Sequence, residues 1–347
     1  MKPVTILISS ACGLGDFLML ESFIRTVDAQ RPVILLLPER SLFKDELVRD
    51  WQLQQTDILH YGEGCHYDRV AKRWQLFKLG WRSETVFLPF ANRLTDLALL
   101  AATTARKVYA VSPGPGPGRR LALAVLSLFS RQKQLVFKRH KTDQFQELLK
   151  LGGLTAASPE TPVPDTVRKH IVLAPGYGSI GHQFKAWPRY HELVSSLLQR
   201  LPETEKVVLL GGGANDQAII GRILEKLGPQ PRVKAILDPD YARAKQILSN
   251  ARAVVANDNG LAHWAGRLGS PVLVLSGPTS PIYTGQQGSR VQTLRRDTTC
   301  SPCLHPDNTR PATLPPPRCR NISCTDCMDF ATTEVLAVID RQLGRKS

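Results

Sequence analysis

Residues 251–281, ARAVVANDNGLAHWAGRLGSPVLVLSGPTSP, bring together the residue types needed to hold a phosphate. Asp258-Asn259-Gly260 is a turn and helix-cap signal, and residues 261–268 have room for about two helical turns. The first N–H groups of such a helix have no internal partner and carry the positive end of its dipole, so they attract an anion. His263 lies in that first turn and would aim a ring nitrogen at the same space. The flanking runs, 253–256 and 271–276, are short, β-branched and apolar, as buried parallel strands are. The turn then falls at the carboxyl end of a strand, where open α/β sheets take their ligands. The alternative is an ordinary crossover in which Asp258 and His263 only cap and pack.

Three more turns carry comparable residues. Strand-like residues 4–9 run into Gly13-Leu14-Gly15-Asp16, a flexible turn that lets a ligand approach closely. Leu18 stands where a dinucleotide fingerprint would have its third glycine, which argues against a nicotinamide site. Asp16 reads equally as a helix cap or as a general base. The second turn, residues 176–188, follows a strand and contains Ser179 and Lys185 ahead of Trp187-Pro188, with Pro suited to a helix start. The third, residues 207–213 (VVLLGGG), ends at Gly213 and puts Asn215 or Asp216 within reach of a nucleotide. Asp238 and Asp240 flank Pro239 in a broken loop and are not read as metal ligands.

Five of the seven cysteines form the pattern Cys300-x2-Cys303-x15-Cys319-x4-Cys324-x2-Cys327. Paired Cys-x-x-Cys units are the spacing of a tetrahedral thiolate site for zinc or iron. A structural metal on Cys300, Cys303, Cys319 and Cys327, with Cys324 as the other choice for fourth ligand, would staple a Pro-rich loop that has little other means of ordering. Unligated thiols are the competing reading.

Positioning these turns needs alternating strands and helices. Strands are expected at 4–9, 33–37, 85–88, 107–111, 171–174 and 207–210, with helices at 16–27, from 188, up to 227 and at 332–343. That alternation implies parallel sheets covered by helices. Residues 155–168, rich in Pro, Thr and Ser, look like a linker, giving domains at 1–160 and 161–330 and a C-terminal helix within 331–347. A chain of 347 residues accommodates two such cores. The longest apolar run, 121–129, is too short for a membrane span, and the N-terminus lacks a secretory pattern, so a cytoplasmic protein is expected. The net charge of +15 is concentrated: residues 101–150 hold ten Lys/Arg against two Asp/Glu, while residues 1–100 hold twelve of each. Such a segment calls for an anionic partner, and the apolar run between basic clusters suits either a peripheral membrane contact or a buried helix.

Asp258-x-Gly260-x-x-His263 followed by Gly277-Pro278-Thr279-x-Pro281 resembles the donor signature of glycosyltransferase family 9, which includes the lipopolysaccharide heptosyltransferases. Asn259 departs from the family's usual Thr or Ser, though any of these can cap a helix and hydrogen-bond a ligand. The resemblance implies a GT-B fold of two Rossmann-like domains facing a cleft, with the C-terminal helix crossing back onto the first domain. It makes Asp16 the catalytic base on an acceptor-side turn with Gly13 and Gly15. It makes Lys185 a catalytic contact to the donor diphosphate, and Ser179, Gly213, Asp258, Asn259, Gly260, His263 and Thr279 donor-binding residues. The implied reaction is inverting transfer of a sugar, heptose from ADP-heptose, to an anionic lipid-linked saccharide of the lipopolysaccharide core, without a catalytic cofactor. A protein acceptor, as in autotransporter heptosyltransferases, is a variant. A reading from another class is a basic nucleic-acid-binding protein with a Cys metal site. The Cys window lacks the His pair of a zinc finger, and no aromatic-rich RNA motif occurs, so nucleic acid is not the expected partner.

Overall fold

The computed structural model describes residues 2–8, 12–38, 42–61, 85–89, 107–112, 131–134, 139–155, 168–178, 183–296, 298, 301–302 and 326–344. The chain divides into two units, Met1–Glu160 and Thr161–Ser347. The first is a sheet of six parallel strands: β1 (Val4–Leu7), β2 (Val33–Pro38), β3 (Thr56–Tyr61), β4 (Thr85–Leu88), β5 (Lys107–Ser112) and β6 (Arg131–Gln134). Their order across the sheet is β3-β2-β1-β4-β5-β6. Its helices include α1 (Leu14–Met19), α2 (Glu21–Asp28), α3 (Lys44–Asp50) and α4 (Lys141–Leu151).

The second unit repeats this topology. Its strands are β7 (His170–Ala174), β8 (Lys206–Gly211), β9 (Val233–Leu237), β10 (Ala251–Asn257), β11 (Val272–Ser276) and β12 (Val291–Arg295). They lie in the order β12-β11-β10-β7-β8-β9, all parallel. Between them run α5 (Tyr190–Arg200), α6 (Gly213–Leu227), α7 (Tyr241–Ser249), α8 (Gly260–Arg267) and α9 (Pro281–Thr284), with α10 (Thr332–Gln342) at the end. In each sheet the first strand is central and the chain reverses its direction of travel beside it. This leaves a crevice at the strand carboxyl ends, between β1 and β4 in one unit and between β7 and β10 in the other.

The central strands are mostly apolar and nearly all buried, as strands covered on both faces must be. Strands β3, β9 and β12 fall outside the sequence expectation. They lie at sheet edges, mix exposed and half-buried positions, and so lack the continuous apolar run of an inner strand. The polar stretch RQKQ, read as part of a basic cluster, pairs as edge strand β6.

The C-terminal helix expected at 332–343 forms as α10. It packs on α5, and its buried face enters the second unit's core. There Val335, Leu336, Val338 and Ile339 join Ile171, Leu173 and Trp187. An apolar stripe at helical spacing signals burial without saying which core receives it. Most of the linker 155–168 and all of the apolar run 121–129 lie outside the described residues. Among the described residues no helix is long and apolar enough to cross a membrane.

Ile339 is fully buried. Ile339→Ala is expected to lower the stability of the second unit by about 2–5 kcal/mol, measured by urea unfolding, because it removes buried methyl groups and leaves a cavity.

Candidate functional site

In the second unit the crevice between β7 and β10 is closed at its base by Asn257. This fully buried side chain donates from Nδ2 to the Pro175 carbonyl (2.6 Å) and accepts at Oδ1 from Trp187 N–H and the Tyr190 hydroxyl (both 3.2 Å). It ties the turn after β7 to the chain entering α5. Burial pushes the Tyr190 phenol far up, so it remains a neutral donor.

Asn259 caps α8. Its Oδ1 accepts from Ala262 N–H (3.0 Å), and its Nδ2 donates to the carbonyls of Ala174 (3.1 Å) and Gly176 (2.9 Å). The amide thus does what Ser or Thr would do at a cap and also spans the crevice. A hydroxyl, with one donor hydrogen, could not make all three bonds. Gly260 and Leu261 then open the helix, where backbone N–H groups have no intrahelical partner.

Asp258 is the charged centre. Lys185 donates to its Oδ2 (3.2 Å) and its carbonyl (3.4 Å), and Gln286 donates to Oδ1 (2.6 Å). The Asp258 and Lys185 side chains are only 12% and 13% exposed. Burial alone would raise the Asp258 carboxyl, but Lys185, the nearby His263 and hydrogen bonds from Thr279 and Gln286 outweigh it and hold the group at about 2. The site therefore contains a fixed carboxylate whose role is to hold an ammonium at the mouth of a capped helix. Asp258 anchors the cluster, and Lys185 is the group suited to meet a ligand phosphate. His263 is 94% buried in the first turns of α8. Ser179 lies outside the described residues.

The third turn borders the same sheet edge. Gly213 has φ +80°, a left-handed conformation that favours glycine, and donates its N–H to Asp238 (2.6 Å). Asp216 accepts from Gly212 N–H (3.0 Å) and lies against Gly176, where a Cβ would come within 2.3 Å of its carboxylate oxygen. Burial, with Asp238 nearby adding to it, raises the Asp216 carboxyl against the opposing Gly212 bond. Asp240 caps α7 through Arg243 N–H (2.7 Å), so Asp238 and Asp240 serve as turn and cap groups.

In the first unit Asp16 lies on α1 after the carboxyl end of β1. The cap position belongs to Gly13, with no side-chain cap bond, so Asp16 is not the helix cap that its sequence context allowed. Its Oδ1 instead accepts from Lys141 Nζ (2.6 Å). Among the described residues, nothing lies within 4 Å of a Cβ built on Gly13. Sequence reasoning missed Lys141, Gln286 and Asn257. None belongs to a local motif, and Lys141 reaches Asp16 across 125 positions.

Of the cysteine window, Cys327 is described and buried, whereas Cys300, Cys303, Cys319 and Cys324 lie outside the described residues. No group of three or more metal-ligating side chains occurs among the described residues. Both described edges of the window converge on Gly277. Ser301 Oγ donates to the Gly277 carbonyl, and a Cβ on Gly277 would fall 2.8 Å from Cys327 Sγ.

Asp258→Asn should expose the pairing in a pH series. With its carboxyl depressed from 3.8 to about 2, Asp258 stabilises the fold above pH 4 and loses that contribution as pH falls toward 2. The wild type's advantage over the variant in urea unfolding is expected to be about 2 kcal/mol at pH 6 and to shrink below pH 4.

A family model, glycosyltransferase family 9 (heptosyltransferase), matches residues 124–313. Lipopolysaccharide heptosyltransferase 1 of Pseudomonas aeruginosa is 36% identical over 125 residues, covering 35% of this chain and 33% of that protein. The match thus spans about a third of that relative's length. In overall structure the chain is similar to the ADP-heptose lipopolysaccharide heptosyltransferase II of Escherichia coli, with a TM-score of 0.70 at 19% identity, covering 99% of this chain and 98% of that one. It is also similar to the iron-containing dodecameric glycosyltransferase of enterotoxigenic E. coli H10407, with a TM-score of 0.58 at 12% identity, covering 98% and 76% of the two chains. The two parallel α/β units are those of the GT-B fold expected from the sequence. On the strength of the family match across more than half its length, the chain belongs to glycosyltransferase family 9.

Proposed function

We propose that the protein transfers heptose from ADP-heptose to a saccharide acceptor of the lipopolysaccharide core, with inversion and without a catalytic metal. The observation that carries this reading is the Asp258-held Lys185 ammonium beside the capped N-terminus of α8. A fixed cation and helix N–H groups at a strand carboxyl end suit a diphosphate. They supply positive charge where the leaving group develops negative charge, the task a metal performs in other transferases. The similarity to heptosyltransferases supports the choice of sugar and nucleotide.

Asp16, in the first unit, takes the proton from the acceptor hydroxyl. The acceptor oxygen attacks the anomeric carbon on the face opposite the nucleotide. The bond from that carbon to the diphosphate oxygen breaks, and its electron pair leaves on ADP toward Lys185, His263 and the N–H groups of Gly260 and Leu261. The excess of eight positive charges in residues 101–150 supports an anionic, lipid-linked acceptor met at a membrane surface. Asp16→Asn is expected to lower turnover by about two to four orders of magnitude and leave ADP affinity nearly unchanged, measured by ADP release and calorimetry. Retention of a tenth of the wild-type rate would remove Asp16 from the base role. Lys185→Ala should weaken ADP binding and slow transfer together.

The Cys-rich window is read as a structural zinc or iron site on Cys300, Cys303, Cys319 and Cys327, with Cys324 as the alternative fourth ligand. Ser301 and Cys327 both lie against Gly277, and this supports the reading. The similar iron-containing glycosyltransferase adds to it. Elemental analysis of protein purified without chelator should find close to one metal ion per chain. Cys303→Ser should lower both metal content and protease resistance of residues 300–327, while Cys65→Ser should change neither. Metal-free protein that still resists proteolysis there would overturn the assignment.

A further inference from the structure

We propose that Lys141 is the positioning residue for Asp16, an inference that rests on Asp16 acting as the base. Lys141 Nζ lies 2.6 Å from Asp16 Oδ1, within charge-assisted hydrogen-bond distance. The lysine side chain is 14% exposed and the carboxylate 31%, so the ammonium is the inner partner and the carboxylate faces outward. Among the described residues Asp16 Oδ2 receives no hydrogen bond. One oxygen is held and the other is left for a hydroxyl, the arrangement a base requires.

Lys141 occupies a position that local energetics disfavour. It is the first residue of α4, where the helix dipole favours acids and opposes a cation. Local rules are broken at functional sites more than elsewhere. The helix that presents Lys141 is fixed independently of the ion pair. His140 caps it through Thr142 N–H (3.3 Å), and Phe145 meets Phe23 of α2 edge-on at 6.2 Å. Gln146 donates to Ser22 Oγ (3.3 Å). Only Leu20 separates α2 from α1, the helix that bears Asp16. Both ends of the pair therefore sit on elements locked to each other by packing. Throughout the reaction Lys141 keeps its proton. The acceptor proton moves to Asp16 Oδ2, and Lys141 stays bonded to Oδ1, so the carboxyl does not rotate as its charge is lost.

The test is a double-mutant cycle on the full chain, reading ADP release from ADP-heptose with heptose-deficient lipopolysaccharide as acceptor. Lys141→Met is expected to lower kcat about 10- to 100-fold with the KM for ADP-heptose within about threefold, since donor binding lies elsewhere. Lys141→Arg, which keeps charge and donors, should stay within about fivefold of wild type. Asp16→Asn/Lys141→Met should be no slower than Asp16→Asn alone, because a residue acting through Asp16 has nothing left to act on. Wild-type turnover in Lys141→Met, or a double variant about tenfold slower than Asp16→Asn, would overturn the inference while leaving the base in place. Asp16→Asn with a tenth or more of wild-type turnover would instead overturn the base reading, and the role of Lys141 with it. Should Lys141→Met fail to fold, Lys141→Gln against Lys141→Arg carries the same comparison: a charge-dependent kcat supports the inference, and equal kcat values overturn it.

Discussion

A buried carboxylate must be compensated, and at Asp258 that requirement organises the second unit's ligand crevice. Left unpaired, a charge with so little exposure would be forced neutral or would destabilise the fold. Its compensation comes from Lys185 in the turn after β7, His263 on α8, Thr279 after β11 and Gln286 beyond α9. Satisfying one side chain thus draws the loops of three strand ends toward one point. Asn257 and Asn259 complete the work from the neighbouring positions by fastening the β7 turn to the β10 turn with side-chain amide hydrogen bonds. A second carboxylate, Asp216, accounts for Gly176, since it lies where a Cβ would stand.

The two units use the same strand order and the same kind of ion pair with the roles exchanged. In the first, a lysine steadies a carboxylate that faces outward; in the second, a carboxylate steadies a lysine at the mouth of a capped helix. Each pair lies at the carboxyl end of the unit's first strand or just beyond it, beside the reversal of strand order. Base chemistry needs an electron-rich group with an open oxygen, and a leaving diphosphate needs fixed positive charge. Under the proposed function one topology would serve both needs, because the sheet only delivers the chain ends to a place and a few side chains set the sign of the site.

Gly277 links the Cys-rich window to this chemistry. Its Cα is pressed against Cys327, its carbonyl accepts from Ser301, and two residues later Thr279 bonds to Asp258. Ser301 and Cys327 therefore touch the loop that helps hold the Asp258 carboxylate. A glycine at this position is required by the close approach, with no unusual backbone angle involved.

Much of this was legible in the sequence, and what remained hidden has a common physical cause. Inner strands announce themselves by continuous apolar runs, and the turn Asp258-Asn259-Gly260 with His263 carries its own local signature, so the parallel α/β class and the helix-mouth site follow from short-range patterns. Edge strands β3, β9 and β12 carry weaker signals, because one unpaired side relaxes the demand for apolar residues. The apolar stripe of α10 fixed that it would be buried, while the choice of core was settled by packing. Asp16 shows the division most sharply. Its local sequence permits a cap or a base, and only the fold, by giving the cap to Gly13 and bringing Lys141 across 125 residues, decides against the cap. Ion pairs between distant positions leave no periodicity to read, since their partners are chosen by three-dimensional proximity and the cost of an unpaired charge.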